Sequence, residues 1–121
     1  MGNPVYIELV EELEPIFGKF EKFVSGSGGR FKKESITILA VYHRGNDVGN
    51  LAELAINESF LLYLGGQVFL NYLHTDVAKY AKPKTKYKYP RVGFERLDQV
   101  NAFISAIDKK QPSVRDFLSN S

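Results

Sequence analysis

The residues best suited to binding chemistry in this sequence are concentrated between Lys79 and Arg91. This stretch, called the basic segment below, contains six cations, three tyrosines and two prolines but no acidic residue. The chain as a whole has 16 Lys and Arg against 14 Asp and Glu, so the rest of the chain has 10 cations against all 14 acids. Charge separated in this way favours an anionic partner for the basic segment.

Nucleic acid is the anionic partner whose chemistry fits this composition best. Lysine and arginine neutralise backbone phosphates and release counterions, and tyrosine rings stack on unpaired bases, worth about 1–3 kcal/mol per base. We therefore predict binding of single-stranded DNA or RNA with little sequence preference. The predicted contacts are Lys79, Lys82, Lys84, Lys86, Tyr87, Lys88, Tyr89 and Arg91. Tyr42, Tyr63 and Tyr72, all in segments predicted as strands, would extend the stacking surface.

Two other interpretations of the basic segment stay open. In an extended conformation its lysines would point to one face and its tyrosines to the other. That alternation is also typical of an edge strand that charge protects against aggregation. Alternatively, the segment docks on the acidic surface of another protein, and the chain is a small interaction module such as an adaptor or inhibitor.

Catalysis and metal binding are not predicted by this sequence. It has no cysteine, and its two histidines, His43 and His74, belong to no metal-ligand or nucleophile motif. An acid follows each histidine, Asp47 and Asp76, but neither pair has the further ligand or nucleophile that a site needs. We therefore expect no enzyme, no metal and no cofactor, and an enzyme that uses either histidine is the least favoured alternative.

Apolar periodicity predicts the elements that lead to the basic segment. Apolar residues spaced by three and four positions predict a helix from Pro4 to Val24, with a kink at Pro15. Alternation of apolar and polar residues predicts a strand from Lys33 to Arg44. The glycine- and serine-rich stretch between them, Ser25 to Arg30, is interpreted as a linker.

The second half of the chain is predicted as strands followed by a helix. A hairpin with its turn at residues 57–59 is favoured within Leu51 to Leu64, although that stretch also fits one helical face. Gln67 to Leu73 is predicted as the next strand, and Thr85 to Phe94 as an edge strand because prolines flank and interrupt it. An apolar stripe then predicts a helix from Asp98 to Lys110.

These elements together predict an α+β fold. It would have an N-terminal kinked helix, an antiparallel sheet of four to five strands and a C-terminal helix. A length of 121 residues is near the modal domain size, so residues 1–121 are expected to form a single domain. The wide apolar stripe of the first helix is also compatible with a homodimer.

A strand running into an amphipathic helix, RVGFERLDQVNAFISAIDK, extends from Arg91 to Lys109. It resembles the end of small coactivator domains that bind unpaired strands, in which a curved four-stranded sheet is followed by one helix. The resemblance implies a dimer that binds single-stranded nucleic acid.

The N-terminal residues indicate where the protein is expected to work. They are acidic and amphipathic, and they lack the basic start and apolar run of a signal peptide. No apolar run approaches the roughly 20 residues that a membrane span needs. We therefore expect an intracellular, cytoplasmic protein without a membrane partner.

Overall fold

The helices of this chain pack together on one face of an antiparallel β-sheet. The structure is a computed structural model. It describes residues 3–43, 51–80 and 89–119, without the side chains of residues 79 and 80. Within these residues, an N-terminal helix, an antiparallel sheet and C-terminal helices confirm the predicted α+β class.

The described elements are five α-helices, one π-helical turn and six strands. The helices are α1 (Pro4–Phe17), α2 (Glu58–Leu64), α3 (Gln67–Tyr72), α4 (Leu97–Asp108) and α5 (Gln111–Ser119), and the π-helical turn (Leu73–Val77) continues α3. The strands are β1 (Glu21–Lys22), β2 (Gly28–Lys33), β3 (Ile36–His43), β4 (Ala52–Ile56), β5 (Lys79–Tyr80) and β6 (Arg91–Phe94). Their order is β1-β2-β3-β4-β6-β5, so a two-residue strand flanks the four longer strands on each side.

The first helix is shorter than the sequence predicts. It ends at Phe17 rather than Val24, because Gly18 adopts a φ of 94° that glycine tolerates best. Phe20 then turns toward the core, and its ring centroid lies 5.1 Å from that of Phe31. The prediction of helix beyond Phe17 was therefore wrong, since Phe20 and Phe23 pack from a non-helical segment and Val24 is fully exposed.

The glycine-rich stretch that composition indicates as a linker belongs in part to the sheet. β2 begins at Gly28 and pairs with β1 on one side and with β3 on the other. A Cβ atom at Gly29 would come within 2.5 Å of the Glu21 carbonyl oxygen. The linker prediction was wrong for residues 28–30, which belong to β2. At Gly28 and Gly29 the missing side chains allow neighbouring backbones to approach.

Residues 58–64 and 67–77 are helical, whereas the sequence favoured strands as far as Leu73. Asn57 caps α2, because its side-chain oxygen accepts hydrogen bonds from the N–H groups of Ser59 at 2.8 Å and Phe60 at 3.1 Å. The residues interpreted as a hairpin turn are therefore a helix start. α3 continues the helical path after a turn at Gly65 and Gly66, and its apolar residues add to the core.

Side-chain alternation divides the sheet into two different faces. The covered face packs on the helices, as when the ring of Phe94 meets that of Phe103 on α4 with centroids 5.6 Å apart. Apolar residues dominate it: Phe31, Leu39, Val41, Leu54, Val92 and Phe94. Small and polar residues occupy the opposite face: Arg30, Ala40, Tyr42, Glu53, Ala55 and Arg91. We call this the helix-free face, because the described helices pack on the other side.

The C-terminal part of the chain closes the covered face. α4 confirms the helix predicted from Asp98 to Lys110, with bounds that differ by one or two residues. α5 follows it and contacts α2, where the rings of Phe117 and Phe60 lie 4.9 Å apart. None of the described helices has both the length and the apolar character needed to cross a bilayer.

Candidate nucleic-acid interface

Both ends of the basic segment are fastened to the outer part of the sheet. β5 pairs antiparallel with β6, with Lys79 opposite Gly93 and Tyr80 opposite Val92. β5 therefore ends at Tyr80, and β6 begins beside it at Arg91. Residues 81–88 lie outside the described residues, so these predicted contacts stay predictions: Lys82, Lys84, Lys86, Tyr87 and Lys88. The same holds for the side chain of Lys79.

The described part of the predicted edge strand is not at an edge. β6 has β4 on one side and β5 on the other, and the Pro90 carbonyl accepts a hydrogen bond from the Ile56 N–H at 3.0 Å. The edge prediction was therefore wrong for Arg91 to Phe94, because the short strand β5 covers that side. The predicted edge strand also includes residues 85–88, which lie outside the described residues.

Arg91 is held in place by contacts within the chain. Its Nη1 lies 3.1 Å from Oε1 of Glu53 on β4, and both side chains are about nine-tenths buried. Its guanidinium carbon lies 4.5 Å from the ring centroid of Tyr42. Its carbonyl oxygen accepts a hydrogen bond from His74 Nε2 at 2.9 Å. A phosphate contact by Arg91 stays a prediction, and it would require the guanidinium to exchange Glu53 for the phosphate.

One of the three additional tyrosines lies on the helix-free face. Tyr42, on β3, stacks against Phe23 with ring centroids 5.6 Å apart. Tyr63 lies on α2 and Tyr72 on α3, on the side of the sheet that the helices cover. The expectation that these two tyrosines extend a strand platform was therefore wrong. Tyr89 is half-buried two residues before β6, and its predicted stacking stays untested.

The helix-free face carries two further cations that sequence reasoning did not select. Arg30 and Lys32, on β2, both bind the carboxylate of Glu21 on β1, with N–O distances of 2.8 and 2.9 Å. Arg30 also donates a hydrogen bond from Nη1 to Oγ1 of Thr37 at 2.9 Å. The alternating side-chain character of residues 28–33 could have indicated this strand. The interpretation of residues 25–30 as a linker hid that pattern.

We expect Lys32→Ala to raise the pKa of Glu21 toward the usual value of a glutamate. Hydrogen bonds from Lys32 and Arg30 lower that pKa, and Lys32 contributes most. A lowered folded-state pKa means that the interaction stabilises the fold above the unfolded-state pKa and is lost as the pH falls through the folded-state value. NMR titration of the side-chain carboxyl carbons measures the pKa directly.

The same spectra contain an internal control for the Glu21 titration. The pKa of Asp98 is lowered by Arg96, which belongs to a separate surface pair. Lys32→Ala should leave the Asp98 pKa unchanged. If the Glu21 pKa also stayed at its wild-type value, the contact between Lys32 and Glu21 would be wrong.

In the described chain, both histidines contact other residues of the fold. His43 Nε2 lies 2.6 Å from the Gly26 carbonyl oxygen, and its ring meets the edge of the Tyr6 ring at 5.1 Å. His74 binds the Arg91 carbonyl as described above. Within residues 3–43, 51–80 and 89–119, no three His, Asp or Glu side chains are grouped so as to hold a metal ion.

The fold and this interface define an α+β domain with helices on one sheet face and a basic segment whose two ends pair as β5 and β6. Comparisons with protein-family models, curated proteins and solved structures find no match to the chain. The resemblance of Arg91 to Lys109 to coactivator domains therefore stays a hypothesis.

Proposed function

We propose that this chain is a non-enzymatic, cytoplasmic protein that binds single-stranded DNA or RNA with little sequence preference. The observation that carries the proposal is the composition of the basic segment, which has six cations and no acid. Its attachment supports the proposal, because β5 and β6 are paired and hold both ends of the segment on neighbouring strands. A segment fastened in this way loses less conformational entropy on binding than a free tail would.

Two partly exposed cations of the helix-free face, Arg30 and Lys32 on β2, would extend the site for a strand that the basic segment has captured. Arg91 and Arg30 both lie on this face, on β6 and β2. Three strand intervals separate them, or about 14 Å at the usual spacing. Tyr42 lies between them on β3, and its ring packs against Arg91 and Phe23. Lysine contacts to phosphate carry no base information, so binding would depend little on sequence.

The alternative function is docking of the basic segment on an acidic protein surface. Both functions depend on the lysines, but only nucleic-acid binding depends on a flat aromatic face for the bases. Tyr87→Ala therefore separates them, because it should weaken nucleic-acid binding and leave a purely electrostatic protein contact nearly unchanged.

A homodimer would place two basic segments on one nucleic-acid strand and raise the apparent affinity.

The test is fluorescence anisotropy with a labelled single strand of about 20 nucleotides, which is longer than one such site covers. We expect micromolar or tighter binding, with a log–log salt slope of about −3 to −4 for roughly five phosphates. Lys84→Glu with Lys86→Glu should weaken binding at least about tenfold and make the slope less steep by about 1.4. A duplex of the same length should bind more weakly.

The matched control carries the same charge change outside the basic segment. Lys19 and Lys22 are both exposed, between α1 and β1 and on β1. Lys19→Glu with Lys22→Glu should leave the affinity nearly unchanged. Equal losses in the two double variants would mean that binding follows total charge alone. Absence of binding even at low salt would refute the proposal.

A further inference from the structure

An open apolar groove of about 350 Å³ lies on the helical side of the molecule, opposite the helix-free face. Its floor is formed by Leu64 of α2, Phe69 of α3 and Ala106 of α4, which are all buried. Its volume is at the lower end of the range typical of ligand sites. The floor belongs to the core, so the groove is part of the folded architecture.

The wall of the groove exposes apolar side chains to solvent. Val68 is 80% exposed and Tyr72 is 43% exposed, although both point from α3 toward the groove. They are four residues apart and therefore neighbours on one helical face. Because Val68 is so exposed, its side chain adds little to the packing of the hydrophobic core. Contiguous exposure of this kind marks an interaction surface.

Two lysines at the end of α4 give the groove its charge. Lys109 and Lys110 both line it, and no acidic residue does. The Lys110 ammonium lies 5.5 Å from the ring centroid of Phe69. Neither lysine has an ion-pair partner among the residues that the structure describes. The rim is therefore cationic above an apolar floor.

We propose that this groove binds an acidic amphipathic helix of a partner protein. Such a helix places apolar side chains at positions i, i+3 or i+4, and i+7 into a groove of this kind. Its carboxylates would then meet Lys109 and Lys110. A second copy of the chain fits less well, because a two-fold contact through this groove would bring the lysines of both copies together.

The proposal is independent of nucleic-acid binding, and the test keeps the two apart. The probe is a fluorescein-labelled synthetic helix of about 15 residues, with leucine along one face and glutamate elsewhere. A second peptide has lysine in place of each glutamate. We expect the acidic peptide to bind the full chain with a Kd of about 10–100 µM, and the basic peptide to bind at least about tenfold more weakly.

Two variants of the groove change its apolar and its charged character separately. Val68→Ser should weaken binding of the acidic peptide about tenfold, since it removes one exposed apolar contact. Lys109→Glu with Lys110→Glu should reverse the preference between the two peptides. Circular dichroism and the thermal midpoint check that both variants fold. Lys84→Glu with Lys86→Glu is the matched control and should bind the acidic peptide as the wild type does.

Other occupants of the groove would give different results in the same set of proteins. Equal binding of both peptides, or no binding of either, would overturn the proposal. So would self-association in analytical ultracentrifugation that Val68→Ser abolishes, because the groove would then join copies of this chain. Binding to vesicles of anionic phospholipid that Val68→Ser abolishes would assign the groove to a membrane surface instead.

Discussion

Gly28→Ala is expected to lower the free energy of unfolding by about 3–5 kcal/mol, the combined cost of backbone strain and overpacking. Gly28 has a φ of 149°, which residues with a side chain rarely adopt. A Cβ atom there would overlap the carbonyl oxygen of Val41 and come within 2.9 Å of the Tyr42 Cα. Both are backbone atoms of β3, so relief requires β2 to move away from its neighbour.

Urea unfolding followed by circular dichroism measures this loss, with Gly26→Ala as the matched control. Gly26 also has a positive φ, 80°, but no atom of the described residues lies within 4 Å of the position of its Cβ. Its substitution therefore carries the backbone cost alone, about 1–2 kcal/mol. Equal unfolding free energies for the two variants would show that β2 and β3 do not approach closely at Gly28.

Breaking the ion pair between Glu53 and Arg91 is expected to cost about 3–5 kcal/mol of stability, the usual effect of leaving a buried charge without its partner. The side chains are only 8% and 10% exposed. Glu53→Leu and Arg91→Met should each have this effect. The double variant should lose much less than the sum, because it removes both charges together.

Thermal and urea unfolding of the two single variants and the double variant complete a double-mutant cycle. Asp98→Asn is the control, since the pair of Asp98 with Arg96 has a similar geometry but is exposed to solvent. It should change stability little. Additive losses in the Glu53–Arg91 cycle would contradict the coupling of the two side chains.

The same double variant decides what Arg91 does in nucleic-acid binding. If Arg91 only holds β6 against β4, the folded double variant should bind a labelled single strand as tightly as the wild type. If Arg91 contacts a phosphate, its affinity should fall and the salt slope should become less steep by about 0.7. Either result assigns Arg91 a structural or a phosphate-binding role, which the composition of the basic segment does not reveal.

Local patterns predicted some elements and misassigned others for identifiable reasons. β3 and α4 follow simple periodicities, and both lie close to their predicted bounds. Residues 51–64 fit two periodicities, and Asn57 resembles a turn residue until its side chain is seen to cap α2. α1 ended early because Gly18 stopped it, although the apolar pattern ran on toward Val24.

The candidate site was likewise predicted only in part from the sequence. The separation of charge that marks Lys79 to Arg91 was evident from composition, and it still carries the proposed function. The partner of Arg91 was not evident, because Glu53 precedes it by 38 residues and meets it only through the pairing of β4 with β6. The groove beside Val68 also escaped prediction, since α3 was expected to be a strand.

The sequence by itself therefore determined the α+β class, two of the main elements and the location of the excess positive charge. These features depend on composition and on the spacing of neighbouring residues, which local propensities report directly. Only the tertiary structure decided which face of the sheet is free of helices, that β6 is interior and that Gly28 and Gly29 are structural. Those features depend on strand register and on contacts between distant residues, which are set when the chain packs and which no local pattern contains.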